Sequence, residues 1–259
     1  IPNLTDLKKG AIENATHQGY KIEEFYLDEP GMTPERMLDV LDARGIRGII
    51  FEHMHDSKKP VHIDVSKFAC VAIQYSITHT KLHQIESDQY SGVLKAIEHA
   101  LENGYKRIGL IANRKVEHLI KHKRVASMLL AERIHAKEAK FFTLETAFTV
   151  DYDPSQDIAD WIRENRIETI LSMRRHIPDE LANVGMEIPR DVGFIHLDMC
   201  NDNPNSFSGI NANWYQIGQV AANQVIDQLA RNEFGAPTQP FVTAVPCSWI
   251  EGETLPKRS

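Results

Sequence analysis

Asp198 follows directly on the apolar run Val192-Gly193-Phe194-Ile195-His196-Leu197, so a carboxylate stands where a buried strand gives way to a loop. Open α/β sheets bind ligands at the carboxyl ends of their strands. A carboxylate there accepts hydroxyl hydrogen bonds from a sugar, each contributing about 1.5 to 3 kcal/mol; capping the following loop is the competing role. Arg124, in His122-Lys123-Arg124-Val125-Ala126-Ser127-Met128, carries a rigid fork of donors suited to a polar ligand oxygen. Its competing role is that of a solvated cation on a helix. Asp88 precedes a helical stripe, where an N-cap explains it as well as a ligand contact does. Trp214, opening an amphipathic helix, and Tyr75, following an apolar strand, have ring faces that can cover the C–H face of a sugar. Core or hinge packing is the alternative for both.

The remaining chemistry is defined by what the spacing lacks. His53-x-His55 and His118-x-x-x-His122 have ligand-like separations, but no Cys pair or partnering Glu lies beside either. They read as loop and helix-surface histidines, and no metal or cofactor is expected. Gly-x-Ser-x-Gly, glycine-rich phosphate loops and His-Glu-x-x-His do not occur, so the expectation is a binding protein and not an enzyme. A net charge of -7 argues against a nucleic-acid surface on these residues themselves. Cys70, Cys200 and Cys247 are odd in number and far apart, which points to a reducing compartment, the cytoplasm. No apolar run approaches the roughly 20 residues that cross a bilayer, and no membrane partner is expected.

These side chains are positioned by alternating helices and strands. Leu4, Leu7, Ala11, Ile12 and Ala15 form a helical stripe ending at Gly19, and 22–27 reads as a strand. Pro34 opens a helix over 35–44, followed by strands at 46–51 and 68–73. From Ile85 to Ile111 an acidic turn, an amphipathic helix closed by Gly104 and a buried strand follow in order, the pattern of a βαβ crossover. Helix 118–133, strand 140–144, helix 155–165, strand 167–172, helix 178–184 and strand 192–197 come next. A helix through Ile217 to Leu229 and a strand at 241–245 close the series. This alternation specifies α/β architecture with parallel sheets, and so many strands divide more naturally into two sheets than one.

The words as well as the order resemble the lactose/galactose-repressor (LacI/GalR) family. Asp88, Gly92, Glu98-His99 and Gly104-Tyr105-Lys106-Arg107-Ile108 match its Asp, Gly, Glu-His and Gly-His/Tyr-x-x-Ile signature. Gly19-Tyr20 resembles its first helix end, and Arg44-Gly45-Ile46-Arg47-Gly48-Ile49-Ile50 its Arg-x-Val-Asp-Gly-Ile-Ile. Ile188-Pro189-Arg190-Asp191-Val192-Gly193-Phe194-Ile195-His196-Leu197-Asp198 is similar to Val-Pro-x-Asp-Val-x-Val-Ile-Gly-Phe-Asp. The end, Trp249-Ile250-Glu251-Gly252-Glu253-Thr254-Leu255-Pro256, resembles the family's final strand and Gly-x-Ser/Thr close.

The resemblance implies two Rossmann-like lobes of periplasmic-binding-protein-like type I fold. One would hold residues 1–104 with 211–236, the other 105–210 with 237–259. It implies an effector-sensing and dimerisation domain of a transcriptional regulator, binding a small carbohydrate in an interlobe cleft and acting as a homodimer. Operator DNA would be gripped by an N-terminal helix-turn-helix headpiece; neither it nor the family's first strand appears ahead of Ile1. Arg124 would point into the cleft and Asp88 would stand at its rim. One segment departs from the family: where Asn-Asp-x-x-Ala is usual, this chain has Ser172-Met173-Arg174-Arg175-His176-Ile177-Pro178. Arg174 facing the ligand would suit an acidic effector; the alternative is surface charge. An exported sugar-binding protein of a transport system is the rival function.

Overall fold

The computed structural model describes residues 2–27, 29–52, 63–75, 80–146, 153–200 and 206–258. They form two compact units: residues 1–87 with 213–245, and 88–212 with 246–259.

In unit 1, helix α1 (Pro2–His17) precedes α2 (Pro34–Ala43) and strands β1 (Gly48–Phe51), β2 (Ala69–Ile73) and β3 (His83–Ser87). After the chain returns, α8 (Trp214–Ala230) leads to β9 (Val242–Val245). The sheet runs β1-β2-β3-β9, every pair parallel. Strand periodicity divides β2 between two cores: Ala69, Val71 and Ile73 face Leu7, Ile217 and Ala221, while Cys70 and Ala72 face Met37 and Leu41. Residues 22–27, expected as a strand, are not one; Phe25 and Leu27 pack on the second core without joining the sheet.

Unit 2 opens with α3 (Gln89–Glu102) and β4 (Arg107–Asn113). It continues through α4 (Arg114–Leu119), α5 (Lys123–Ile134), β5 (Lys140–Thr146), α6 (Ser155–Asn165), β6 (Thr169–Ser172) and α7 (Ile177–Asn183). Strands β7 (Gly193–Met199), β8 (Ser208–Asn211) and β10 (Ser248–Ile250) complete it. The order is β10-β8-β7-β6-β4-β5, parallel except for antiparallel β10. Apolar residues alternate across the sheet. Ile108, Leu110 and Ile195 pack under α3 and α5, whereas Ile111, Ile170 and Phe194 pack under α6 and α7.

Three expectations are corrected here. The expected helix 118–133 is two helices, because Lys121 and His122 take φ of +57° and +55° and break the ladder. The Ile85–Ile111 segment is not a βαβ within one sheet: β3 belongs to unit 1 and β4 to unit 2. The chain therefore changes unit at Ser87–Asp88, ahead of α3, where the sequence suggested Gly104. Gly104 does end α3. At φ +88° it allows Tyr105 N to donate to Ala100 O (3.0 Å) and its own N to Leu101 O (2.9 Å), the double bond pattern of a glycine C-cap.

Candidate functional site

Helices that alternate with parallel strands begin where the strands end, so the carboxyl edge of unit 2's sheet gathers strand ends and helix starts together. Strand ends contribute Asn113, Ser172, His196, Asp198 and Asn211, with Ser172 level with His196 and Met199 with Asn211. Helix starts contribute Asp88 and Arg124. Asp88 accepts Ser91 N at 3.0 Å, so the capping role read from the sequence is realised. A Cβ on Gly92, one turn on, would lie 3.3 Å from Ile210 near the end of β8, which confirms that α3 starts at this edge.

Two contacts tie these groups to one another. Ser127 Oγ lies 2.8 Å from Lys123 O and 3.1 Å from Tyr90 O, placing the start of α5 against the first turn of α3 and hence the supports of Arg124 and Asp88 side by side. Cys247 Sγ lies 3.5 Å from Asp88 O, and its thiol is pushed up to about 12, chiefly by burial and then by the charges of Asp88 and Asp198. Both carboxylates therefore lie within electrostatic reach of one buried sulfur. Lys95 Nζ donates to Cys247 O at 2.9 Å beside them.

Arg124 is buried, at 2% exposure, and its Nε lies 3.4 Å from Oε1 of Glu117, whose side chain is completely buried. That separation is an ion pair and too long for a good hydrogen bond. Glu117 stands on the short α4 directly after β4 and also receives Val125 N at 3.5 Å. Burial raises its carboxyl above the ordinary value, and the Arg124 charge opposes the shift. Arg174 is held by its neighbours as well: its N donates to Ser172 Oγ at 3.1 Å, and its Nε reaches Glu180 Oε1 and Oε2 at 2.9 and 3.0 Å. Its Nη2 also meets Glu180 Oε1. Arg175, next along, is exposed.

His196 was not singled out from the sequence as a site residue, though a histidine within Val192–Leu197 was a visible signal. Its Nδ1 accepts Asp198 N at 3.3 Å and its ring stacks on Phe207 with centroids 6.0 Å apart. Burial lowers its pKa to about 4, Met173's backbone opposing and Arg175 assisting, so the ring is neutral at pH 7. Glu117 was missed too; its signal was being the sole acid in the basic stretch Arg114 to Arg124.

Tyr75 and Trp214 belong to unit 1. Tyr75 follows β2 in a turn and is half-buried, and Trp214 starts α8 and packs against the core of Leu7, Ile73 and Ile217. Packing, the alternative read from the sequence, thus describes Trp214's apolar contacts. No group of three or more His, Cys, Asp or Glu suited to a metal occurs among the described residues. His118 and His122 sit with ring centroids 6.3 Å apart, and His53 and His55 lie outside the described residues. No described helix is long and apolar enough to cross a membrane.

No protein-family profile and no curated protein sequence matches the chain. Solved structures do. A LacI-family transcriptional regulator from Enterococcus faecium with bound ribose superimposes with a TM-score of 0.68 at 16% identity, over 100% of this chain and 96% of that one. A periplasmic binding protein/LacI transcriptional regulator from Alkaliphilus metalliredigens, complexed with D-xylulofuranose, gives 0.68 at 21% identity over 98% and 95%. A LacI-family regulator from Weissella paramesenteroides with bound glucose gives 0.68 at 13% identity over 99% and 95%. The fold is therefore that of LacI-type effector domains, periplasmic-binding-protein-like type I, along essentially the whole chain.

Proposed function

We propose that this chain is the effector-sensing and dimerisation core of a LacI-type transcriptional regulator and that it binds a small carbohydrate. The observation that carries the proposal is the gathering of Asp88, Asp198 and Arg124 at the carboxyl edge of one parallel sheet. Carboxylates accept sugar hydroxyls and the guanidinium donates to ring and hydroxyl oxygens, the two halves of polyol recognition. Ribose, xylulose and glucose in proteins of the same fold support the ligand class.

Asp198 and Arg124 are the principal ligand contacts of this proposal, with Asp88 supporting them. Arg174, already forked by Glu180, serves the architecture of the β6–α7 turn. Sensing requires no catalytic step, and the regulators of this fold support a sensor over an enzyme or an exported carrier. The effector can bias DNA binding only by its differential affinity for two states of the protein. The net charge of -7 supports DNA contact through a separate basic headpiece, two of which a homodimer would carry to an operator. Three buried, unbridged cysteines suit a cytoplasmic setting.

A thermal-shift screen of neutral sugars, sugar acids and nucleobases tests the ligand class. A carbohydrate that raises the unfolding temperature in a concentration-dependent way supports the proposal. Stabilisation by nucleobases alone contradicts it.

A further inference from the structure

We propose that Glu117 sets the charge selectivity of this site: by neutralising Arg124 it favours an uncharged polyhydroxyl ligand and disfavours the corresponding acid or phosphate. The inference rests on the carbohydrate reading above and adds to it a residue and a ligand charge.

Glu117 and Arg124 are both inside the protein, with side chains 0% and 3% exposed, so solvent does little to screen them. Glu117 Oε1 approaches the Nε edge of the guanidinium at 3.4 Å. Glu117 thus compensates the charge of Arg124, and the pair as a whole carries no net charge. A hydroxyl oxygen needs only a donor. An anion also needs uncompensated positive charge to offset its own desolvation, and beside a buried carboxylate it meets repulsion instead.

Three further cations near this edge add little of that charge. Arg174 is paired through Nε with both oxygens of Glu180, at 2.9 and 3.0 Å. Lys95 donates to Cys247 O at 2.9 Å, between the fields of Asp88 and Asp198. Arg175 is exposed, where water and salt weaken its pull on an anion. Glu117 acts through Arg124 and is a positioning residue, found nowhere in the sequence motifs that pointed to Arg124.

The test is calorimetric titration of matched pairs, D-glucose with D-gluconate and D-ribose with D-ribose 5-phosphate, against wild type, Glu117→Gln, Glu117→Asp and Glu180→Gln. The wild type is expected to favour the neutral member of the better-bound pair by about tenfold or more. Glu117→Gln, isosteric and uncharged, shifts that ratio about tenfold towards the anion, and Glu117→Asp returns it towards the wild-type value. Glu180→Gln, which removes the carboxylate paired with Arg174, shifts the ratio in the same direction. An anion bound as tightly as its neutral partner by the wild type overturns the inference, whether or not Glu117→Gln folds. So does a ratio unmoved in a folded Glu117→Gln protein. Neutral sugar binding with an unmoved ratio removes only the role of Glu117; no binding by any of the four removes the carbohydrate reading with it.

Discussion

Glu117 and Arg124 are tolerable in the interior only together. Replacing Arg124 by Ala leaves a fully buried carboxylate without its counter-charge, and the expected loss of stability is about 3 kcal/mol in urea unfolding at pH 7. The loss has a pH signature. Glu117 already has a raised pKa from burial, and without Arg124 it rises further, so protonation favours the folded state and the deficit relative to wild type shrinks as pH falls towards the ordinary carboxyl range. Replacing both residues, Glu117→Leu with Arg124→Met, restores most of the stability. His196 works in the opposite sense. Its folded pKa of about 4 lies below the ordinary 6.5, so its contribution is complete above pH 6.5 and is lost as pH falls from 6.5 through 4. The full difference is roughly 3 kcal/mol, and His196→Gln is expected to flatten the wild-type stability curve across that window. Asp198 and Arg124 were legible because strand ends and motif words pointed to them. Glu117 was not, because its role depends on the left-handed turn at Lys121–His122 that folds α4 back beside α5.

Asp88 joins helix formation to the candidate site. As the N-cap of α3 it accepts Ser91 N at 3.0 Å, and Asp88→Ala is expected to cost about 1 kcal/mol in thermal unfolding. Asp88→Ser keeps a capping oxygen and removes the charge. Its stability should match wild type while sugar affinity falls, which separates the two roles left open by the sequence. In unit 1 the tightest element contact is between α1 and α8, where a Cβ on Gly218 would lie 2.0 Å from Leu7 O. Gly218→Ala must push the helices apart, with an expected loss of about 3 kcal/mol in urea unfolding, near the upper end for an overpacked contact. Nearly all helices were legible from their apolar stripes and caps, Gly104 and Pro34 among them. The strands show where periodicity fails. Strand β3, His83-Gln84-Ile85-Glu86-Ser87, lies mostly buried yet carries a single aliphatic residue, and β8, Ser208-Gly209-Ile210-Asn211, is buried along its whole length with one large apolar side chain. Residues 22–27 show the reverse, an alternating apolar pattern that packs its side chains without ladder partners. Hydrophobicity reports burial of side chains; strand pairing depends on the neighbouring backbone.

At the scale of the molecule, the order of elements was enough to specify two α/β units, and the motif words alone carried the family resemblance. The point where the chain changes unit was less legible, since both Ser87–Asp88 and Gly104 are turn-like and only the packing of α3 against Ile108, Leu197 and Ile210 assigns that helix to unit 2. The proposed effector class depends on Asp88, Arg124 and Asp198 acting on one ligand, and Asp198 is the member that the sheet itself contributes, on β7. Calorimetric titration of wild type and Asp198→Asn with the best-binding neutral sugar therefore tests the central claim most directly. Loss of two charge-assisted hydroxyl bonds predicts an affinity about a hundredfold weaker in a variant that unfolds at the wild-type temperature. Equal affinity in the two proteins would contradict the assignment of this edge as the carbohydrate site.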